Sequence, residues 1–191
     1  RGAALAPAPA DVYRGAGRPD VIIRQADADP AAAAPNLRLI RALMEAGQGQ
    51  AALARARSLA AANPGAPAAH LALGDCLLAG GLPSAAAGAY ARAANLRFDE
   101  GTALRLVDAW RRAGEEEKAR QALGLFAVQN PMNVEAQRLS AQLLLAAGEY
   151  GRALRLLSNL RDRLGNEDAL LMTGIAHAYI GLDKPEQALP F

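Results

Sequence analysis

The chain has 191 residues, of which 52% are hydrophobic and only 4% aromatic, with 21 basic and 19 acidic side chains. This near-balance of charge argues against a nucleic-acid binder, which normally concentrates basic residues on one face. No apolar run reaches the ~18 residues that a membrane span needs, and the single cysteine, Cys76, excludes an internal disulfide.

Residues 1–32 differ in composition from the rest and are rich in alanine and proline. Pro19 and Pro30 are expected to break any helix in this segment. We therefore predict an N-terminal arm or linker over residues 1–32. The alternative is an arm that docks through Val21-Ile22-Ile23 on the rest of the chain or on a neighbouring molecule.

From residue 33 onward, a glycine followed five residues later by an alanine recurs at a fixed period. The glycines are Gly47, Gly81, Gly114 and Gly148. A period of about 34 residues is typical of stacked helix-turn-helix units. Each glycine is expected to end a first helix, because glycine tolerates the left-handed backbone there. We divide the array into repeats at about 33–66, 67–100, 101–133 and 134–166, with an incomplete fifth at 167–191.

Apolar residues within the repeats fall at helical spacing. In the first repeat, the apolar residues Ala52, Leu53, Ala56, Leu59 and Ala60 recur at the spacings of three and four residues that place them on one face of a helix. Small residues allow helices to approach closely, so a core of alanine and leucine suits thin helix pairs. The same spacing predicts that the larger aromatic side chains pack between repeats, at Tyr90, Trp110, Phe126 and Tyr150.

The fifth repeat is incomplete. Asp168 to Ile180 is predicted as a first helix, and the turn from Gly181 to Pro185 is expected to be two residues longer than the others. A second helix then begins at Gln187 and stops. Because an unfinished pair leaves an apolar face uncovered, we expect the natural protein to continue or this end to pack on another chain.

Several of these residues resemble the tetratricopeptide repeat family over residues 33–191. The second repeat matches the family pattern at Leu73-Gly74, Gly81 and Ala86, and Pro64 and Pro131 close the first and third repeats. The tryptophan that the family often has near the start of the first helix is absent. The resemblance implies an all-α fold, a right-handed superhelical solenoid of stacked repeats.

The resemblance also implies that the first helices line a concave groove, which binds a peptide or helix of a partner. The groove-facing residues on this alignment are Arg38, Arg41, Asp75, Arg105, Asp108, Arg111, Arg112, Glu135, Arg138 and Gln142. Arginines in a groove can pair with carboxylates of a bound chain. The alternative is a solvated face balanced by pairs within each helix, such as Arg105–Asp108 and Asp108–Arg112.

The carboxylate clamp of chaperone-binding relatives needs lysine and asparagine at set groove positions. Leu37 and Arg41 stand where the first repeat would supply them, so we do not predict that clamp.

No constellation of catalytic or metal-binding residues stands out. His70 and His177 lie in different repeats, and a metal site would need further ligands close by. Cys76 is predicted to be a buried apolar residue, since a nucleophile would need a neighbouring base. Glu115-Glu116-Glu117 precede a second helix, where acidic side chains complement the helix dipole. We therefore expect no enzyme activity, no cofactor and no metal.

The sequence thus predicts a non-catalytic scaffold for protein–protein interaction that binds a peptide or helix of a protein partner in its groove, without nucleic acid. The alanine- and arginine-rich composition favours a bacterial protein of envelope assembly, secretion or polysaccharide export, in the periplasm ahead of the cytoplasm. One alternative is a self-associating module that forms homo-oligomers through residues 18–25 or the open C-terminal repeat. Another is a helper region of a larger enzyme.

Overall fold

The computed structural model describes residues 19–191, with side chains from residue 21 onward. This part of the chain is all-α and forms two compact units, which divide between Glu115 and Glu116. The first unit contains α1 (Pro19–Ala28), α2 (Ala33–Glu45), α3 (Gly49–Ala62), α4 (Pro67–Ala79), α5 (Pro83–Leu96) and α6 (Glu100–Arg112). The second contains α7 (Glu116–Gln129), α8 (Val134–Ala146), α9 (Tyr150–Leu164), α10 (Ala169–Gly181) and α11 (Pro185–Ala188). None of these described helices combines the length and the apolar character that crossing a bilayer requires.

The turns after the first helices share one geometry. Gly47, Gly81, Gly114 and Gly148 have φ values of 73°, 73°, 75° and 72°, in the left-handed region. The residue after each glycine donates its N–H to a carbonyl in the last turn of the helix, as Gln48 does to Leu43 over 2.8 Å. This pattern is the Schellman motif, which satisfies carbonyls that the helix end leaves unpaired. The four predicted helix ends are confirmed.

The fifth turn has the same geometry with an aspartate at its left-handed position. Asp183 has a φ of 58°, and the N–H of Lys184 donates to the carbonyl of Tyr179 over 3.0 Å. Residues 182–184 separate α10 from α11, just as residues 46–48 separate α2 from α3. The prediction of a turn two residues longer is therefore wrong. It took Gly181 as the left-handed turn residue, whereas α10 continues through Gly181 and Asp183 takes the left-handed position, which aspartate also tolerates.

The alanine that follows each glycine is fully buried. Ala52, Ala86, Ala119 and Ala153 are all 0% exposed, and each is the fourth residue of its helix. A single methyl group at this position allows a close approach of backbones, which a larger side chain would prevent. The repeated alanines therefore have a packing role in both units.

Helix α1 lies within the segment that was predicted to be an arm. Pro19 begins this helix, because the first helical position needs no N–H donor and proline has a suitable φ. The helix packs against α2 and buries Ala26 completely. The prediction that prolines break any helix here is therefore wrong for residues 19–28. Residues 1–18 lie outside the described chain, and the division of the chain at residue 32 stays a prediction.

The turn after α1 matches the turn after α3. Asp29-Pro30 precedes Asn63-Pro64 by one repeat period. In each turn the carbonyl of the aspartate or asparagine accepts the N–H of the residue three positions later, over 3.1 Å. Helix α1 thus occupies the place of a second helix, one repeat earlier than the predicted start of the array.

Polar side chains join α1 and its turn to α2 and α3. Arg55 donates from Nη2 to Asp27 over 2.8 Å and from Nε to Asn36 over 2.6 Å. Asn63 donates to the carbonyl of Ala31 over 2.9 Å. Asn36 is fully buried, and its amide is satisfied as burial requires, because Oδ1 accepts from Arg55 and Nδ2 donates to the carbonyl of Ala32. The segment that includes the docking anchor Val21-Ile22-Ile23 is therefore held to the first unit.

The second unit has its own hydrophobic core between α8, α9 and α10. It is built from Ala141, Leu157, Leu160, Leu171 and Ile175, each at most 5% exposed. At the end of the described chain, the ring of Phe191 stacks on that of Tyr179, with 5.9 Å between centroids. Leu170, Ile180 and Leu189 remain exposed on α10 and after α11.

Asp99 caps the N-terminus of α6. Its Oδ1 accepts the hydroxyl of Thr102 over 2.8 Å and the N–H of the same residue over 2.9 Å. These two hydrogen bonds, the hydroxyl first, lower the pKa of the Asp99 carboxyl below its ordinary value. Because the folded-state pKa lies below the unfolded one, the stabilisation is complete above the unfolded value and is lost as the pH falls through the folded value.

We expect Asp99→Ala to lower the free energy of unfolding by about 1 kcal/mol at pH 7, because the cap is lost. Asp99→Asn should retain most of the cap, since asparagine is as good an N-cap residue, but its contribution should not decrease in acid. Urea unfolding of the three proteins at pH 7 and pH 3 measures both effects. Equal stabilities of the alanine and asparagine variants at pH 7 would contradict the capping role.

Candidate functional site

A charged cluster at Asp75 joins three helices of the first unit. The hydroxyl of Tyr90, on α5, donates to Oδ1 of Asp75, on α4, over 2.7 Å. The Nε of Arg105, on α6, donates to the same oxygen over 3.3 Å. The side chains of Asp75 and Arg105 are 49% and 46% exposed, so the ion pair faces solvent. The Tyr90 ring beneath it is completely buried.

Gly74 gives the ring of Tyr90 the space it occupies. A Cβ atom added to Gly74 would lie 2.3 Å from Cε1 of the ring, well inside van der Waals contact. Burial raises the pKa of the Tyr90 hydroxyl far above its ordinary value, and the hydrogen bond to Asp75 adds to the rise. The hydroxyl is therefore a permanent donor near neutral pH, and the Leu73-Gly74 motif allows it to fix the Asp75 carboxylate.

The other predicted groove residues of the first unit also lie on exposed or half-exposed helix surface. Arg38 and Arg41 are exposed on α2, and Arg111 is exposed on α6. Asp108 pairs with Arg112 over 2.8 Å, which confirms that predicted pair. These arginines place positive charge on the same first helices that carry Asp75.

The predicted pair of Arg105 with Asp108 is wrong. Arg105 instead contacts Asp75, which lies on the first helix of the preceding repeat, and the carbonyl of Gly101 over 3.1 Å. The physical reason is that Tyr90 holds the Asp75 carboxylate in place, so the arginine meets a fixed acceptor on a neighbouring helix. The spacing of residues within one helix does not predict an ion pair between two helices.

In the second unit the three predicted residues have different surroundings. Glu135 and Gln142 are exposed on α8. Arg138 pairs with Asp168, whose other oxygen caps α10 by accepting the N–H of Leu171 over 3.1 Å. The backbone hydrogen bond and then Arg138 lower the pKa of the Asp168 carboxyl. Arg138 therefore stabilises the residue that caps the N-terminus of α10, and its side chain is only partly exposed to solvent.

Polar links between side chains nearly one repeat period apart recur inside both units. Asp75 pairs with Arg105, Arg138 with Asp168, and Arg120 with Glu149. The spacing rule for pairs within one helix predicts none of the three. A search for opposite charges at nearly one repeat period would have found them, since residues one period apart lie on neighbouring repeats.

The second unit also has an open cavity of about 450 Å³. Its lining combines the apolar Leu123 and Leu143 with a charged rim, on which Arg120 contacts Glu117 and Glu149. Glu149 also accepts a hydrogen bond from Arg152 over 2.5 Å. The charges on the rim are thus paired with one another.

The histidines and the cysteine have structural surroundings. His70 is buried, with Nε2 2.9 Å from the carbonyl of Pro64. His177 contacts the ring of Tyr150, with centroids 6.0 Å apart. Burial, with a smaller contribution from Asp75, raises the pKa of the Cys76 thiol to about 11, so it is protonated at neutral pH. Within residues 19–191, no three His, Cys, Asp or Glu side chains are grouped as metal binding requires.

The paired helices, the repeated left-handed turn and the buried alanine define a helical-repeat protein. Residues 37–101 match the family model of the tetratricopeptide repeat. This match confirms the resemblance inferred from the glycine and alanine pattern. Among curated proteins, none matches this sequence.

Solved structures of tetratricopeptide repeat proteins share the fold over most of the chain. YrrB, described as a TPR protein with an unusual peptide-binding site, has a TM-score of 0.70 at 16% identity, covering 90% of this chain and 89% of YrrB. MamA has a TM-score of 0.70 at 18% identity, covering 83% and 86%. A repeat protein of Parabacteroides merdae has a TM-score of 0.70 at 18% identity, covering 94% and 70%. These likenesses establish the all-α repeat fold.

Proposed function

We propose that this chain is a non-catalytic scaffold that binds a segment of a partner protein on the surface of its first helices. The observation that carries this proposal is the Asp75 cluster, in which the buried Tyr90 of α5 and Arg105 of the next first helix, α6, hold an exposed carboxylate. A side chain that is already fixed loses little entropy when a partner docks. The fold provides a further argument, because the similar YrrB is described as having a peptide-binding site.

The position of Arg41 supports the same surface. Arg41 lies six residues before its left-handed glycine, as Asp75 and Asp108 do in the next two repeats. The first helices of the first unit therefore present a row of charged side chains at one repeated position. Arg111 lies three residues before Gly114 and adds a second exposed guanidinium to this surface. Guanidinium groups of this kind bind carboxylates through paired hydrogen bonds.

The variant that tests this surface should leave the fold intact. Arg138 is unsuitable, because its replacement by glutamate would place two acids together at the cap of α10. Arg41→Glu with Arg111→Glu changes two exposed residues of first helices. The matched control is Arg57→Glu with Arg92→Glu, which makes the same change of charge at exposed positions of the second helices α3 and α5.

We expect wild type and the control to enrich the same partner from a lysate of the source cells, by affinity capture and quantitative mass spectrometry. The Arg41→Glu, Arg111→Glu variant should lose it by about tenfold or more, because each lost charge-assisted contact contributes about 1.5–3 kcal/mol. Circular dichroism checks that all three proteins are equally helical. Equal enrichment by all three would contradict a site on the first helices.

The more specific role in bacterial envelope assembly, secretion or polysaccharide export stays a prediction from composition. The identity of the captured partner tests it directly.

A further inference from the structure

The cavity of the second unit lies where the pattern of the repeats changes. Its wall includes Arg120 on α7, six residues after one left-handed turn residue, and Ser140 on α8, eight residues before the next. At these two positions the other facing helices have only apolar residues: Leu53 with Leu73, Ala87 with Leu106, and Leu154 with Ile175. The contact between α7 and α8 is therefore the one in which a charged and a small polar residue replace an apolar pair.

Neither replacement packs into the space between the two helices. The Ser140 hydroxyl donates to the carbonyl of Ala136 in its own helix, over 2.7 Å. The Arg120 guanidinium lies on the rim of the cavity, where it donates to Glu117 and, over 3.2 Å, to Glu149. Leucines at both positions would bring apolar atoms into this space, as close packing between helices normally requires.

Gly124 extends the same wall on α7. It lies inside the helix, where glycine is a poor helix former. A Cβ atom added there meets nothing within 4 Å, so no close approach of a neighbouring group requires a glycine. The packing of α7 therefore does not explain Gly124, whereas a cavity wall without a side chain does.

The lining of the cavity indicates which kind of ligand it suits. The volume of about 450 Å³ falls within the range of roughly 300–1,000 Å³ for small-ligand sites. Leu123 and Leu143 provide a buried apolar surface. The charges on the rim sum to zero and are paired with one another, in Glu117, Arg120, Glu149 and Arg152. An apolar ligand without net charge fits this lining better than an anion or a cation, which would have to compete with these ion pairs.

We propose that the cavity binds one apolar side chain of a peptide segment. The leucines surround the side chain, and the polar groups of the rim, including the neutral Gln121 amide, hydrogen-bond to the peptide groups on either side of it. Because the cavity is open, the chain can continue past it in both directions. This site lies wholly in the second unit, so it does not depend on the surface around Asp75.

A leucine residue with an amide at each end, N-acetyl-leucinamide, is the probe for this site. Titrated to about 20 mM into the isotope-labelled full chain, it should bind with a Kd in the low millimolar range, as its few atoms allow. The NMR shift changes should be concentrated at the methyl groups of Leu123, Leu143 and Leu144. N-acetyl-glycinamide has the same amides without the side chain and should leave these methyl groups unchanged. Equal shifts with the two probes, or shifts located elsewhere, would overturn the proposal.

Ser140→Leu tests the cavity itself, because it introduces the leucine that the first three repeats have at this position, Leu39, Leu73 and Leu106. It should raise the Kd of the probe about tenfold or more without lowering the unfolding temperature. Ser58→Leu is the matched control, since the exposed Ser58 donates to the carbonyl four residues earlier as Ser140 does. Its Kd should stay within about twofold of wild type. A folded Ser140→Leu variant that binds like wild type would contradict the site.

Two further probes test whether the ligand is a residue inside a chain. N-acetyl-leucine ends in a carboxylate, and leucinamide begins with an ammonium group. Each should bind about threefold or more weakly than N-acetyl-leucinamide, because its charged end has to compete with the ion pairs of the rim. Tighter binding of either one would assign the cavity to a small charged molecule and overturn the peptide assignment.

Discussion

Replacing Gly74 with alanine should lower the free energy of unfolding by about 3 kcal/mol, at the upper end of the range for overpacked cores. The added Cβ would lie 2.3 Å from Cε1 and 2.6 Å from Cδ1 of Tyr90. The ring is fully buried and its hydroxyl is bonded to Asp75, so it cannot move aside without losing that hydrogen bond. Chemical denaturation followed by circular dichroism measures the loss.

Gly88 provides the matched control for this substitution. It lies within α5, and a Cβ added there meets nothing within 4 Å. Gly88→Ala should therefore raise the free energy of unfolding by about 0.5–1 kcal/mol, because glycine is the poorer helix former. Tyr90→Leu should reduce the cost of Gly74→Ala, since the clashing ring is absent. A Gly74→Ala variant as stable as wild type would show that Tyr90 is not held against this helix.

Replacing Leu160 with alanine should lower the free energy of unfolding by about 2–5 kcal/mol, the range for buried leucines. Leu160 is 0% exposed in the core formed by α8, α9 and α10. Removing its side chain leaves a cavity among Leu157, Leu171 and Ile175, and the surrounding helices can only partly close it. Thermal and urea unfolding measure the effect, and the reduced stability should appear in both.

Leu164 is the control for Leu160, one helical turn further along α9 and 43% exposed. Leu164→Ala should cost less than about 1 kcal/mol, because an exposed side chain loses little burial on truncation. Equal effects at the two positions would contradict the placement of Leu160 in the core.

The repeat period was sufficient to predict the fold class and most helix ends. The glycines at 47, 81, 114 and 148 have left-handed backbones, because no other residue adopts that conformation as easily. The glycine pattern does not predict helix boundaries that other residues set. Asp183 takes the left-handed position in the fifth turn, and Pro19 begins a helix in a segment that was taken to be an arm.

The candidate site was less predictable, because its key contacts join separate helices. Arg105 and Asp75 were both identified as groove residues, but nothing in one helix indicates that they bind each other. Tyr90 was assigned to packing alone, whereas its hydroxyl fixes the Asp75 carboxylate. Such contacts depend on the distance between neighbouring helices, which the period of the sequence does not give.

The most direct test of the proposed scaffold is the affinity of the captured partner segment for three purified proteins, measured by isothermal titration calorimetry. If the segment binds on the first helices, Arg41→Glu with Arg111→Glu should raise the Kd by about tenfold or more. The control Arg57→Glu with Arg92→Glu should bind within about twofold of wild type, because surface charges away from a contact contribute little. Equal Kd values for all three proteins, or a loss confined to the control, would contradict binding on the first helices.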